Sequence, residues 1–146
     1  VETFELHRGR LIDHVQLVVA DLATSRRFHE AVPGTLGVPL GASLGGSMAD
    51  HVRADELFVS TSDSLAAQDR LTGRPPLAFQ AEDRAAVEAF HVAGLAAGGR
   101  DTGTPGLRPD HPGSYAAFLL DPDGNTIKAL HHGPAERSAA SERIRF

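Results

Sequence analysis

With no cysteine among its 146 residues, the chain has no thiolate nucleophile, no disulfide and no cysteine-rich zinc site. Histidine, carboxylate and lysine must carry any chemistry. Lys128 is the single lysine, since the other thirteen of the fourteen basic residues are arginines. In an apolar run, Thr126-Ile127-Lys128-Ala129-Leu130, an amine can bind an anionic group or serve as a base or Schiff-base nucleophile. The bland alternative is a lysine that reaches solvent or pairs with a carboxylate. His14, in the apolar run 12–19, offers metal ligation, proton transfer or a hydrogen bond to a ligand, against the alternative of a satisfied histidine in a sheet. His111 and Tyr115 stand where a loop rich in proline and glycine enters a strand, a place for ligand contacts. His131 and His132 are adjacent on a strand end and point to opposite faces, so they make a poor metal pair. Two spellings fail on context. Gly41-Ala42-Ser43-Leu44-Gly45 reads as a nucleophile elbow but is followed by no helix. Asp121-Pro122-Asp123-Gly124 lacks the glycine position and distal glutamate of a calcium loop.

What positions these residues is an internal repeat. Sliding the chain by 62 residues aligns Asp21 with Asp83, Ala23 with Ala85, Phe28 with Phe90, His29 with His91, and Ala31 with Ala93. Each copy opens with a strand-like run, 12–19 or 76–81, and an aspartate then caps a helix. Val87, Phe90, Ala93 or Gly94, and Ala97 recur at helical spacing and predict one buried stripe. Strand-like runs follow at 38–44, 48–53 and 56–60, then at 100–107, 115–120 and 126–130. Asp121-Pro122-Asp123-Gly124-Asn125 predicts a hairpin turn between the last two. The expected organisation is an N-terminal extension (1–9), a βαβββ module (10–62), a linker (63–74), a second βαβββ module (75–132) and a C-terminal extension (133–146). His29 and His91, on the helices, are expected to be structural.

Composition narrows the function. Hydrophobic residues at 41% and charged residues at 23% describe an ordinary globular chain. A net charge of −5 with dispersed arginines argues against a nucleic-acid partner. No apolar stretch is long enough for a membrane span and the first residues lack signal-peptide order, so a cytoplasmic protein is expected.

The paired modules, Ile12-Asp13-His14-Val15 followed by Asp21, Ala78-Phe79 leading to Asp83, and Phe118-Leu119-Leu120-Asp121-Pro122-Asp123-Gly124-Asn125 together resemble the vicinal oxygen chelate superfamily. That group holds glyoxalase I, extradiol dioxygenases, and fosfomycin and bleomycin resistance proteins. The run 111–118 is similar to a glyoxalase-like, uncharacterised subgroup. The resemblance covers residues 11–132 and implies an α+β fold in which two βαβββ modules form a curved, cup-shaped mixed sheet with the helices outside. It also implies a metal held at strand centres. His14 occupies the first such place and Pro76 the second. A third falls near Phe58 or Ser60, and Lys128 stands where the family has a glutamate. Proline and ammonium do not ligate cations, so the first expectation is a metal-free cup without cofactor. It would bind a small molecule, an anionic one if Lys128 makes the contact, through His14, Lys128, Ser60, Phe58, Pro76, Ala78, Gln80, His111 and Tyr115. The alternative is a lyase, isomerase or dioxygenase with a divalent nickel, zinc, iron or manganese ion on His14 and unfamiliar donors such as Asp110, His111 or His51. A partner-binding relic with a closed cup is a third reading. An exposed sheet edge and the habit of the resembled family both point to a homodimer.

Overall fold

The computed structural model describes residues 5–8, 14–37, 40–44, 47–52, 55–61, 71, 73–109, 112–133 and 142–145. In chain order, β1 (Glu5–Arg8) precedes a module of β2 (His14–Val19), α1 (Leu22–Thr35), β3 (Leu40–Leu44), β4 (Ser47–Val52) and β5 (Asp55–Thr61). The second module has β6 (Pro76–Gln80), α2 (Arg84–Ala96), β7 (Arg100–Leu107), β8 (Tyr115–Leu120) and β9 (Thr126–His131), and β10 (Glu142–Arg145) follows. Each module is therefore βαβββ and the fold is α+β. In each, the first strand pairs in parallel with the last, giving the orders β2-β5-β4-β3 and β6-β9-β8-β7. β1 and β10 form a separate antiparallel pair, Leu6 opposite Ile144.

The repeat in the sequence is a repeat of local physics. Asp21 and Asp83 are both helix N-caps, accepting from the backbone amides of Thr24 and Ala86 at 2.7 Å and so satisfying a free first-turn donor in each helix. Phe28 and Phe90 are fully buried, each contributing about 1.5–3 kcal/mol of apolar burial. On α2 the buried stripe runs Val87, Phe90, His91 and Gly94. Gly94, rather than Ala93, faces inward. A Cβ there would collide with Leu119 and sit 3.2 Å from Val32, so the glycine lets α1, α2 and the second sheet meet closely.

Hydrogen bonding joins the strands of each module into a four-stranded mixed sheet, with no ladder between β2 and β6 among the described residues. These two edge strands meet through side chains instead, Leu17 and Val19 of β2 packing with Leu77 and Phe79 of β6. The main core lies between the helices and the second sheet, where Ala117, Leu119, Ile127 and Ala129 face Phe28, Val32, Val87 and Phe90. Each sheet residue on that face is followed by one on the other, so the core fixes which residues the second sheet turns away from the helices.

Candidate functional site

The face of the second sheet turned away from the helices is built in rows across four strands. Pro76, Ala78 and Gln80 alternate with Leu77 and Phe79 along β6. The first three are exposed, whereas Leu77 and Phe79 pack on the core. Register carries Ala78 to Lys128 on β9, Lys128 to Phe118 on β8, and Phe118 to Gly103 on β7. The row on one side is Pro76, Thr126, Leu120 and Arg100. Lys128 Nζ stands 4.7 Å from the centroid of the Phe118 ring, and the Arg108 guanidinium carbon stands 5.0 Å from it. Arg108 is held there by donating through Nη2 to the carbonyls of Thr104 (2.6 Å) and Ala116 (3.1 Å). Gly103 makes room: a Cβ would lie 2.8 Å from Phe118 Cδ2 and 3.2 Å from Arg108 Nη2. The result is an aromatic ring attended by two cations, each contact worth on the order of 0.5–2 kcal/mol. Sequence reasoning found Lys128 but missed Phe118 and Arg108.

In the first module, backbone register places the candidate positions. His14 pairs with Glu56 on β5, and Glu56 pairs with His51 on β4. His14, Glu56 and His51 therefore form one row across three strands. Phe58 lies opposite Gln16 and Ser60 opposite Val18. The repeat decides between these two: Gln16 plus 62 is Ala78, whose partner is Lys128, so Phe58 is the counterpart of Lys128. Glu56 was not singled out from the sequence; only the register puts it beside His14. His111 and Asp110 lie outside the described residues.

Tyr115 does not belong to the open face. It shares the helix face with Ala117 and Leu119, its ring packs on the core, and its hydroxyl donates to Glu88 of α2 at 2.9 Å beneath Arg84. Accepting that hydrogen bond, Glu88 raises the phenol above its ordinary range, with burial and the Glu88 charge adding to the shift.

His29 and His91 are buried in the helix layer, where each engages a carboxylate. His91 Nε2 donates to Asp101 at 2.9 Å, and this bond, ahead of every other influence, holds Asp101 below the usual carboxylate range. His29 Nε2 donates to Asp121 at 3.1 Å, with both side chains inaccessible. Asp121 opens the hairpin turn between β8 and β9. Gly124 takes φ +85° there, a conformation glycine adopts at no steric cost. Asp121 also accepts from the amides of Asp123 (3.0 Å) and Asn125 (2.8 Å) and from Asn125 Nδ2 (2.8 Å). Asp123 in turn accepts from Ala20 N (3.0 Å) and Ser25 Oγ (3.2 Å) of the first module. The turn is thus a clasp between modules. His131, ending β9, places Nδ1 3.2 Å from the Ala81 carbonyl, a structural contact.

Two hollows flank these elements. One of about 570 Å³, between the end of α1 and the start of α2, is lined by Thr35, Leu36, Glu82 and Asp83 on the helix side. The other, of about 370 Å³, opens beside the hairpin turn between Arg74, Arg100 and Thr126. No helix among the described residues is long and apolar enough to cross a membrane.

Known proteins share this architecture. A glyoxalase/bleomycin resistance protein from Albidiferax ferrireducens T118 is 36% identical, with 81% of this chain and 95% of that one covered at a TM-score of 0.69. A glyoxalase-related enzyme from Fulvimarina pelagi matches over 91% of this chain and 97% of its own, at 18% identity and a TM-score of 0.70. Lactoylglutathione lyase from Agrobacterium tumefaciens covers 84% and 93%, at 20% identity and a TM-score of 0.60. No functionally curated protein matches the chain. The family model for the Glyoxalase/Bleomycin resistance protein/Dioxygenase superfamily matches residues 11–129, and the chain belongs to that superfamily.

Proposed function

We propose that this chain binds a small anionic molecule on the open face of its second sheet, with Lys128 as the charged contact and Pro76, Ala78 and Gln80 as the floor beside it. The observation that carries the reading is the placement of Lys128. Its ammonium stands at the Phe118 ring on a strand centre, and among the described residues no carboxylate pairs with it. An ammonium so placed still has donor hydrogens to offer a ligand. The chemistry of the family-type positions supports binding without a metal. A divalent cation wants three or four nitrogen or oxygen donors, whereas Phe58, Pro76 and Lys128 supply none beside His14. That set does not fit the ion. With aromatic residues at 5% and no tryptophan, no broad stacking platform supports a large flat drug, so the ligand is small. Sequestration in a homodimeric protein is the role that follows, with the outer strand β7 and its exposed Leu107 as the edge for pairing.

The test is a thermal-shift screen of carboxylic and phosphorylated acids at fixed ionic strength, followed by calorimetry on the hits. Lys128→Ala should weaken binding about tenfold or more. An unaltered affinity would remove Lys128 from the site.

A specific observation favours a second reading, a metal-dependent lyase, isomerase or dioxygenase. Backbone register puts His14, Glu56 and His51 in one row on adjacent strands, whose backbones lie about 5 Å apart, and these residue types are ligands for zinc, nickel, iron or manganese. Plasma mass spectrometry of protein purified without chelator decides between the readings. Stoichiometric metal that disappears in both His14→Ala and His51→Ala establishes the second, and background metal leaves the first.

A further inference from the structure

We infer that the open face of the second sheet carries a second anion subsite, formed by Arg74, Arg100 and Thr126, and that its ligand is therefore a compact dianion: a dicarboxylate or a phosphorylated carboxylic acid. This rests on the proposed role of Lys128 for one of the two charges; the arginine subsite stands on its own observations.

Arg100 is the first residue of β7. Its register partner Leu120 shares the open face with Phe118, one row from Lys128. Arg74 approaches from the segment before β6. Its φ of +42° is a sparsely populated conformation for a residue with a side chain, and the next residue is Pro75, before which chains are ordinarily extended. That backbone holds the side chain against the hairpin turn, where a methyl on Gly124 would meet Arg74 Nε at 3.8 Å. The two arginines and the Thr126 hydroxyl line the hollow of about 370 Å³. Asp123 also lines it; its two oxygens accept from Ala20 N and Ser25 Oγ, and the two guanidiniums outnumber its single negative charge. Among the described residues neither arginine has a carboxylate within ion-pair distance.

The charge pattern extends this beyond a pair of surface arginines. The rows of the open face hold Arg100 and Lys128 and no aspartate or glutamate, and Arg108 leans over Phe118 from the far side. Asp101 is the nearest acid along β7, but its partner Leu119 belongs to the helix face, where Asp101 takes the His91 bond. A chain of net charge −5 thus presents sheet rows whose charged residues are cations, with Asp123 at their rim outnumbered by Arg74 and Arg100, and such a local potential draws and orients anions. Along β9, Thr126 and Lys128 are two residues apart, about 7 Å at the backbone, so one compact molecule can span both. Guanidinium forks suit a carboxylate or phosphate at one end, and the ammonium takes the other as a point charge.

The test uses nitrogen-labelled full-length protein and follows the arginine Nε–H resonances. Inorganic phosphate is one probe, and acetate with the dicarboxylates from succinate to pimelate are the others, all at constant ionic strength. Phosphate should shift Arg74 and Arg100 selectively, and its affinity should fall about tenfold in Arg100→Gln or Arg74→Gln. One dicarboxylate length should exceed acetate by about tenfold, an advantage that Lys128→Gln abolishes while phosphate binding persists. Equal shifts at all arginines, or phosphate binding indifferent to both arginine variants, would overturn the subsite. Loss in the arginine variants with no effect of Lys128→Gln would overturn the dianion and the reading of Lys128 together, leaving an arginine site for a single anion.

Discussion

Replacing Asp121 by alanine should cost about 3–5 kcal/mol of stability and uncouple the two modules. The carboxylate accepts from His29 Nε2, Asn125 Nδ2, and the amides of Asn125 and Asp123. His29 and Asn125 are inaccessible to solvent, so truncation strands three buried donors at about 1–3 kcal/mol each, with water entry returning part of the loss. For a domain whose whole stability is about 5–15 kcal/mol this is a large fraction. The pH dependence follows from the same contacts. Burial pushes Asp121 up, but hydrogen bonds from His29, then from the Asn125 side chain and backbone, and the proximity of His29 outweigh it, so the folded-state value lies below the ordinary one. A depressed carboxylate contributes stability in full above its unfolded value of about 3.9 and loses it as pH falls through the folded value. The gap between wild type and Asp121→Ala should therefore be widest near neutrality and narrow from about pH 4 downward. Urea unfolding followed by far-ultraviolet dichroism and by the fluorescence of Tyr115, the single tyrosine in a chain without tryptophan, measures both effects. Tyr115 reports the second module alone, so uncoupling separates its transition from the dichroic one. A loss below about 1 kcal/mol at pH 7, or simple additivity with His29→Ala within about 0.5 kcal/mol, would refute the clasp.

Gly94→Ala should lower stability by about 1–3 kcal/mol, because the added methyl meets Leu119 and Val32 in a packed core; calorimetric unfolding measures it. Tyr115→Phe should leave anion affinity unchanged, since the ring faces α2. In the wild type, ultraviolet titration should find the phenol ionising above the ordinary tyrosine range. Pro76→His combined with Lys128→Glu should create divalent-metal uptake, detected by plasma mass spectrometry. Background metal in that variant, shown folded by dichroism, would contradict the strand placement of His14, Pro76 and Lys128.

The sequence discloses what local physics dictates and hides what distant register decides. The helix caps Asp21 and Asp83, the buried Phe28 and Phe90, and the turn at Gly124 each follow from spacing within a few residues, so they were legible. The side of Tyr115 was not. Tyr-Ala-Ala-Phe-Leu-Leu is apolar on both faces, and no polar alternation sets the phase of β8. Only packing against Glu88 and the core does so. The acids that engage His29 and His91 are 92 and 10 residues away, and nothing in a helical stripe names them. Phe118 meets Lys128 across the β8–β9 ladder, and Arg108 reaches the same ring from just beyond β7, whose ladder to β8 shifts register twice, so no count along the chain could align all three.

The two modules then differ in a way that the repeat makes measurable. His14, Glu56 and His51 in the first correspond by register to Pro76, Thr126 and Leu120 in the second, and Phe58 corresponds to Lys128. Every donor type in that row of the first module is matched in the second by a residue with little or no capacity to ligate. The second instead gains a cation where the first has an apolar ring. Under the proposed readings, the two modules offer different chemistry, charge in the second and ligand-type side chains in the first. Anion affinity should accordingly respond to residues of β7 and β9, and any metal affinity to β2, β4 and β5. A ligand whose binding depended equally on His51 and Lys128 would show instead that both rows address one molecule. Calorimetry on the single variants, with and without added zinc, separates the two arrangements.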